Sequence, residues 1–183
     1  MSSIRVATVL GILGLVCALQ PAVADNESPS AAPLVTGGRL QLNLAGAETI
    51  LAASKQKAAA MQLKVNIAIV DDGGHLLSFA RMDGARPASG STALTKAVSA
   101  ATFRQETGTL PPKGEPDLLL NLSLQNAAFA SGGKVTTLKG GVPVIVDGQA
   151  IGAVGVGGGT GEQDAEIARA GIQNLLEKLA AKK

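Results

Sequence analysis

The chain has no tryptophan and no tyrosine, and only three phenylalanines, one histidine and one cysteine in 183 residues. With Phe79, Phe103 and Phe129 as its only aromatics, it has no stacking platform for bases or sugars. Charge is nearly balanced, 16 Lys and Arg against 14 Asp and Glu, and no basic run is longer than the terminal Lys182-Lys183. Nucleic-acid binding draws on a basic patch and often on aromatics, so that class is set aside. With His75 alone, one subunit cannot build a multi-imidazole metal site, and any Ser-His-Asp triad has to use that residue.

The N-terminus reads as a secretory signal. Arg5 gives a positive start, residues 6–19 form an uncharged apolar run, and Ala-Val-Ala at 22–24 is a small-x-small cleavage site. The run is shorter than the roughly 20 apolar residues of a transmembrane helix, so no stable membrane insertion is expected. Val16 precedes Cys17 where a lipid-modification signal wants a small residue. Cleavage after Ala24 predicts a periplasmic or secreted protein that begins at Asp25. Cleavage also removes the cysteine, which excludes disulfides, thiolate chemistry and Cys-ligated clusters from the mature chain. Residues 25–38 are polar and proline-containing, a flexible leader. Residues 39–183 are enough for one domain with its own core.

Hydrophobic periodicity then sets the elements. Leu44, Ala47, Leu51, Ala58 and Met61 mark one helical face, with Asn43 as cap. Residues 65–70 and 75–81 read as strands around the turn at 72–74, a hairpin. Residues 91–106 read as a second helix and 117–125 as a short third, after a proline-rich break. A weak strand is expected at 134–138. Strands at 142–146 and 150–156 flank Asp147-Gly148, a second hairpin turn. A last helix runs from 161 to about 180, with Ala165, Ala168, Ile172, Leu175 and Leu179 as its stripe. Hairpins imply a largely antiparallel sheet with no βαβ crossover. The fold class expected is α/β of the α+β kind, one sheet of about five strands with helices packed on its faces.

The junction at 152–166 carries the strongest local signal. An apolar strand runs into a glycine hinge and then into a helix where Thr160 and Gln163 have capping-box spacing. Glu162, Asp164 and Glu166 follow in the first turns, where the helix dipole favours negative charge. This is no nucleotide loop: Glu162 follows the last glycine where a P-loop needs Lys, and Thr160 replaces the third glycine of a dinucleotide fingerprint.

Gly-Gly-Thr-Gly-Glu-Gln-Asp at 158–164 resembles the signature of the GlcG/HbpS family, the haem-degrading domain family also found as the C-terminal domain of PduO-type proteins. So do Val-Asp-Asp-Gly-Gly-His at 70–75, Phe-Ala-Arg-Met-Asp-Gly at 79–84 and Thr-Lys-Ala at 95–97, over about residues 40–180. The resemblance implies a profilin-like fold, a homo-oligomer and, from HbpS-type members, binding of haem or another tetrapyrrole, or of iron. The GlcG name implies a second role on an organic acid, with Arg81 as anion clamp, His75 as base and Glu162 as acid. A third reading is a structural or partner-binding module built on the small-residue surface at 152–161.

Candidate residues each have two readings. His75 starts a strand after a Gly-Gly turn and is a ligand for haem iron or another divalent metal, or caps the hairpin through Asp71 or Asp72. Arg81, with Asp83 and Arg86 beyond it, holds a carboxylate such as a haem propionate, or pairs with Asp83 or Glu162. Lys96 lies among small residues and faces a pocket or a subunit interface, or else solvent. Glu162 and Asp164 supply oxygen ligands to a metal, or complement the helix dipole. Met61 and Met82 are axial haem ligands in principle, and Met61 is better read as core. The expected cofactor site is therefore His75, Arg81, Lys96 and Glu162, and the expected metal set His75, Glu162 and Asp164, clustered at one end of the sheet.

Overall fold

The computed structural model describes residues 38–111 and 114–181. The signal sequence and nearly all of the leader lie outside the described residues. Helix α1 (Leu44–Ala60) opens where Asn43 accepts from the Gly46 N–H at 2.9 Å. Strands β1 (Asn66–Asp71) and β2 (Leu76–Arg81) form the first hairpin, followed by α2 (Ser89–Phe103) and α3 (Leu118–Ala130). Strands β3 (Gly141–Val146) and β4 (Gln149–Gly157) form the second, around Asp147 and Gly148, both at positive φ as a two-residue hairpin turn requires. Helix α4 (Gly161–Ala180) closes the chain behind the expected capping box, with both of its reciprocal bonds formed.

Among the described residues the sheet has four strands in the order β2-β1-β4-β3, every neighbouring pair antiparallel. The fifth strand expected at 134–138 does not form. Its backbone is satisfied by hydroxyls: Thr136 N–H donates to Ser99 Oγ at 2.8 Å, and Lys134 and Val135 N–H donate to Ser131 Oγ. With those groups taken by side chains, no ladder is needed.

Both faces of the sheet are covered. Ile67 and Ile69 of β1, with Val154 and Val156 of β4, pack toward Ile50 of α1 and Ile167 of α4. The alternate residues Ala68, Val70 and Ala153 meet Ala93, Ala97 and Ala100 of α2. On this second face the fit is backbone to backbone. A Cβ at Gly155 would collide with Ala93 O and Ala97 N, and one at Gly157 would lie 2.7 Å from Ser89 O. Of the glycine stretch at 152–161, expected to be a surface for another subunit, Gly155 and Gly157 are consumed inside the chain as the seat of α2, and Gly152 lies against Val70 O of β1.

Helix α3 is the exception to this economy. None of its 13 residues is buried, and Leu118, Leu119 and Phe129 are 71%, 76% and 91% exposed. Its polar ties are at its start, where Asn121 exchanges bonds with Leu110 (2.9 and 2.6 Å) and Asp117 accepts from Leu120 N–H. Among the described residues no helix is long and apolar enough to cross a membrane.

Candidate functional site

Strand register decides which candidates meet. Asn66 pairs with Arg81 on one side and with Gly157 on the other, whereas Asp71 pairs with Gly152 at the far end of β1. Arg81 and the start of α4 therefore share one end of the sheet, and the turn carrying His75 occupies the opposite end. Five residue rises separate them, roughly 17 Å of strand. The expected single cluster of His75, Arg81 and Glu162 is not formed within one chain, and with it goes the clamp, base and acid arrangement of the organic-acid reading.

At the His75 end, one carboxylate organises the turn. Asp71 Oδ1 accepts from the N–H groups of Gly73 (2.9 Å) and His75 (2.8 Å), and lies 3.3 Å from His75 Nδ1. Burial pushes the Asp71 carboxyl up. The His75 and Gly73 backbone donors, with the imidazole beside it, outweigh that and hold it below its ordinary value of 3.8. The His75 side chain is 83% exposed. With the proton on Nδ1, the ring donates to Asp71 and presents the Nε2 lone pair to solvent. Asp72 pairs with Arg39. Gly74, at φ +86°, lies against Val98 and Thr102 of α2.

The other end holds two concavities. Arg81 lines an open groove of about 630 Å³ with Lys55, Lys64, Met82 and Asp83. Neither pairing expected for Arg81 forms; it has no ion pair among the described residues, and Glu162 pairs instead with Lys139 at 2.5 Å. Met61 and Met82 both pack against the core under α1 and α4.

The second concavity, about 310 Å³, lies between α2, the loop before β3 and the start of α4. Lys96 and Asp164 line it, and both are buried, their side chains 6% and 2% exposed. Lys96 Nζ donates to Asp164 Oδ2 at 2.7 Å and to Val156 O at 2.8 Å. Asp164 Oδ1 accepts from Gly159 N–H at 2.9 Å. Lys96 thus faces a pocket and not solvent, as one of its two readings had it. Asp164 is committed to Lys96 and Gly159, leaving no free oxygen pair for a metal. Among the described residues no group of three or more His, Cys, Asp and Glu could hold a metal ion, so the set His75, Glu162 and Asp164 is not assembled in one chain.

Two residues of this pocket were missed or underweighted at the level of sequence. Lys139 sits in the loop before β3, where its neighbours Gly140 and Gly141 gave no sign of a partner 23 residues away. Arg86 lies on the wall; its Nε donates to Ser89 Oγ at 2.9 Å and its carbonyl accepts from Asn66 Nδ2.

An antiparallel four-stranded sheet with helices on both faces defines the chain as an α+β protein with a basic pocket at one end and an exposed histidine at the other. The sequence model of the family described as haem degrading protein HbpS-like matches residues 42–173, and the chain belongs to this family. Protein GlcG of Escherichia coli K12 is 45% identical over 110 residues, 60% of this chain and 76% of GlcG. The crystal structure of Klebsiella pneumoniae protein ORFY is similar with a TM-score of 0.67 and 31% identity, over 79% of this chain and 98% of that one. A crystal structure of a PduOC:heme complex is similar with a TM-score of 0.63 and 28% identity, over 74% and 95%.

Proposed function

We propose that this chain is an exported haem-binding protein that works as a homo-oligomer, with His75 as the ligand to iron. The observation that carries this reading is the Asp71–His75 pair, 3.3 Å apart, on a turn whose imidazole is 83% exposed. A metal-ligating histidine characteristically donates its second ring nitrogen to a carboxylate, which fixes the ring and raises its basicity. Exposed Leu76, adjoining His75 at the start of β2, supplies apolar surface for a macrocycle. The family membership and the haem held by the PduOC structure support the same ligand.

A single imidazole on an open surface leaves a macrocycle half-covered, which favours a site completed by a second copy. The apolar, wholly unburied α3 supplies the surface such a copy would cover. Export follows from the N-terminal pattern, with the mature protein beginning at Asp25 in the periplasm or outside the cell. Iron without a porphyrin is the lesser reading, because among the described residues no group of three or more His, Cys, Asp and Glu could hold a bare metal ion.

Hemin titrated into protein beginning at Asp25 is expected to give a shifted Soret band that weakens in His75→Ala. Asp71→Asn is expected to lower affinity by about 10-fold or more, as loss of an outer carboxylate does at other metal sites. No Soret shift in the parent protein would end the proposal. A monomer by light scattering at micromolar concentration, with haem affinity intact, would end the shared-site part of it.

A further inference from the structure

We infer that the pocket between α2 and the start of α4 is a second ligand site, for a small monocarboxylate, at the end of the sheet away from His75. The pocket carries one unpaired positive charge among the described residues. Lys96 is neutralised by Asp164 and Lys139 by Glu162, so Arg86 is left as the one cation lining the pocket without an acidic partner among the described residues. Its guanidinium carries five N–H donors, and among the described residues only the one on Nε is used, by Ser89 Oγ. A planar fork with free N–H groups matches a carboxylate bidentately.

The pocket also holds an unused buried donor. An ammonium carries three N–H groups, and Lys96 spends two, on Val156 O and Asp164 Oδ2. The third has no acceptor among the described residues, although the side chain is 6% exposed and lines the cavity. A buried donor without an acceptor is costly, and a ligand oxygen would satisfy it.

Size and sign narrow the ligand further. About 310 Å³ is at the small end of ligand pockets, which run from about 300 to 1,000 Å³. One uncompensated positive charge matches one negative charge. A dianion such as phosphate would instead face Asp164 and Glu162 in the first turn of α4. The lining includes bare backbone at Gly157–Gly159, which leaves polar atoms accessible to a short ligand, and Leu138 is its one large apolar side chain among the described residues.

Calorimetric titration of the whole mature protein with acetate, lactate and pyruvate tests the site, with lactamide as the uncharged counterpart and inorganic phosphate as the dianion. Saturable binding of at least one acid is expected, with lactamide and phosphate weaker by about 10-fold or more, the scale of one lost charge-assisted contact. Arg86→Gln is expected to lose the acid and Arg86→Lys to keep it in part, since Lys retains charge without the fork. Circular dichroism and urea midpoints confirm that both variants are folded. Failure of every acid to bind at tens of millimolar would overturn the inference, and so would equal binding of lactamide, or undiminished binding by folded Arg86→Gln. The haem reading stands or falls separately on the Soret titration.

Discussion

Replacing Lys96 by methionine is the sharpest test of how the α2–β4–α4 junction is held. Methionine keeps most of the stem and deletes the ammonium. Asp164 is then left with a carboxylate whose side chain is 2% exposed and whose Oδ2 has lost its 2.7 Å partner, and Val156 O loses its 2.8 Å donor. Removing one member of a buried ion pair costs about 3–5 kcal/mol, because the remaining charge is uncompensated. The Gly159 N–H still serves Asp164 Oδ1, so we expect the lower part of that range, about 3 kcal/mol. With a urea slope of about 1–3 kcal/mol per molar, the midpoint should fall by about 1–3 M. Adding Asp164→Asn, which keeps an acceptor for Gly159 and removes the charge, should recover much of the loss. The cycle should show a coupling of about 2 kcal/mol or more between the two positions. A Lys96→Met midpoint within about 0.3 M of the parent, or strict additivity in the cycle, would refute the reasoning.

Two further outcomes are expected. Thr160→Ala should cost about 1 kcal/mol through loss of the α4 cap, and Gly158→Val should cost more. Gly158 sits at φ +141°, and a Cβ there would stand 3.0 Å from Lys64 O; chemical denaturation of both variants checks the order. Asp71 has a carboxyl lowered from 3.8 in the folded chain, so the stability it contributes is complete above that value. It is lost as pH falls through the lower folded value. Asp71→Asn should therefore flatten the acid limb of a melting-temperature profile below about pH 4, while leaving the slope above pH 6 unchanged.

How much was legible depends on whether a signal is local. The start of α4 was readable because Thr160 and Gln163 lie three residues apart and their bonds are made within one turn. Both hairpins were readable because alternation and turn residues are adjacent. Helix α3 was foreseen only over 117–125 and runs to Ala130, since its leucines and alanines have no polar face against which a boundary could be drawn. The false strand at 134–138 was lost to hydroxyls on Ser99 and Ser131, one of them more than thirty residues away. The site was harder still. His75 and Arg81 lie six residues apart in neighbouring motifs, yet they stand at opposite ends of β2, because that stretch of extended chain runs the length of the strand. The Lys96–Asp164 pair spans 68 residues and leaves no trace in either neighbourhood.

The seating of α2 on β4 bears on how this protein can change over time. A new side chain at Gly155 would strike Ala93 O, Ala97 N and Ala97 Cα, all main-chain atoms. Ordinary core clashes are relieved when the facing side chain is shortened, so such positions can drift as compensating pairs. Here nothing on the facing helix can be trimmed. A selection for suppressors of Gly155→Ala should return reversion, or changes that lift α2 bodily, and no single substitution in α2 that trims away the clash. Among relatives, the corresponding glycine should stand alone, with no second position that changes in step with it.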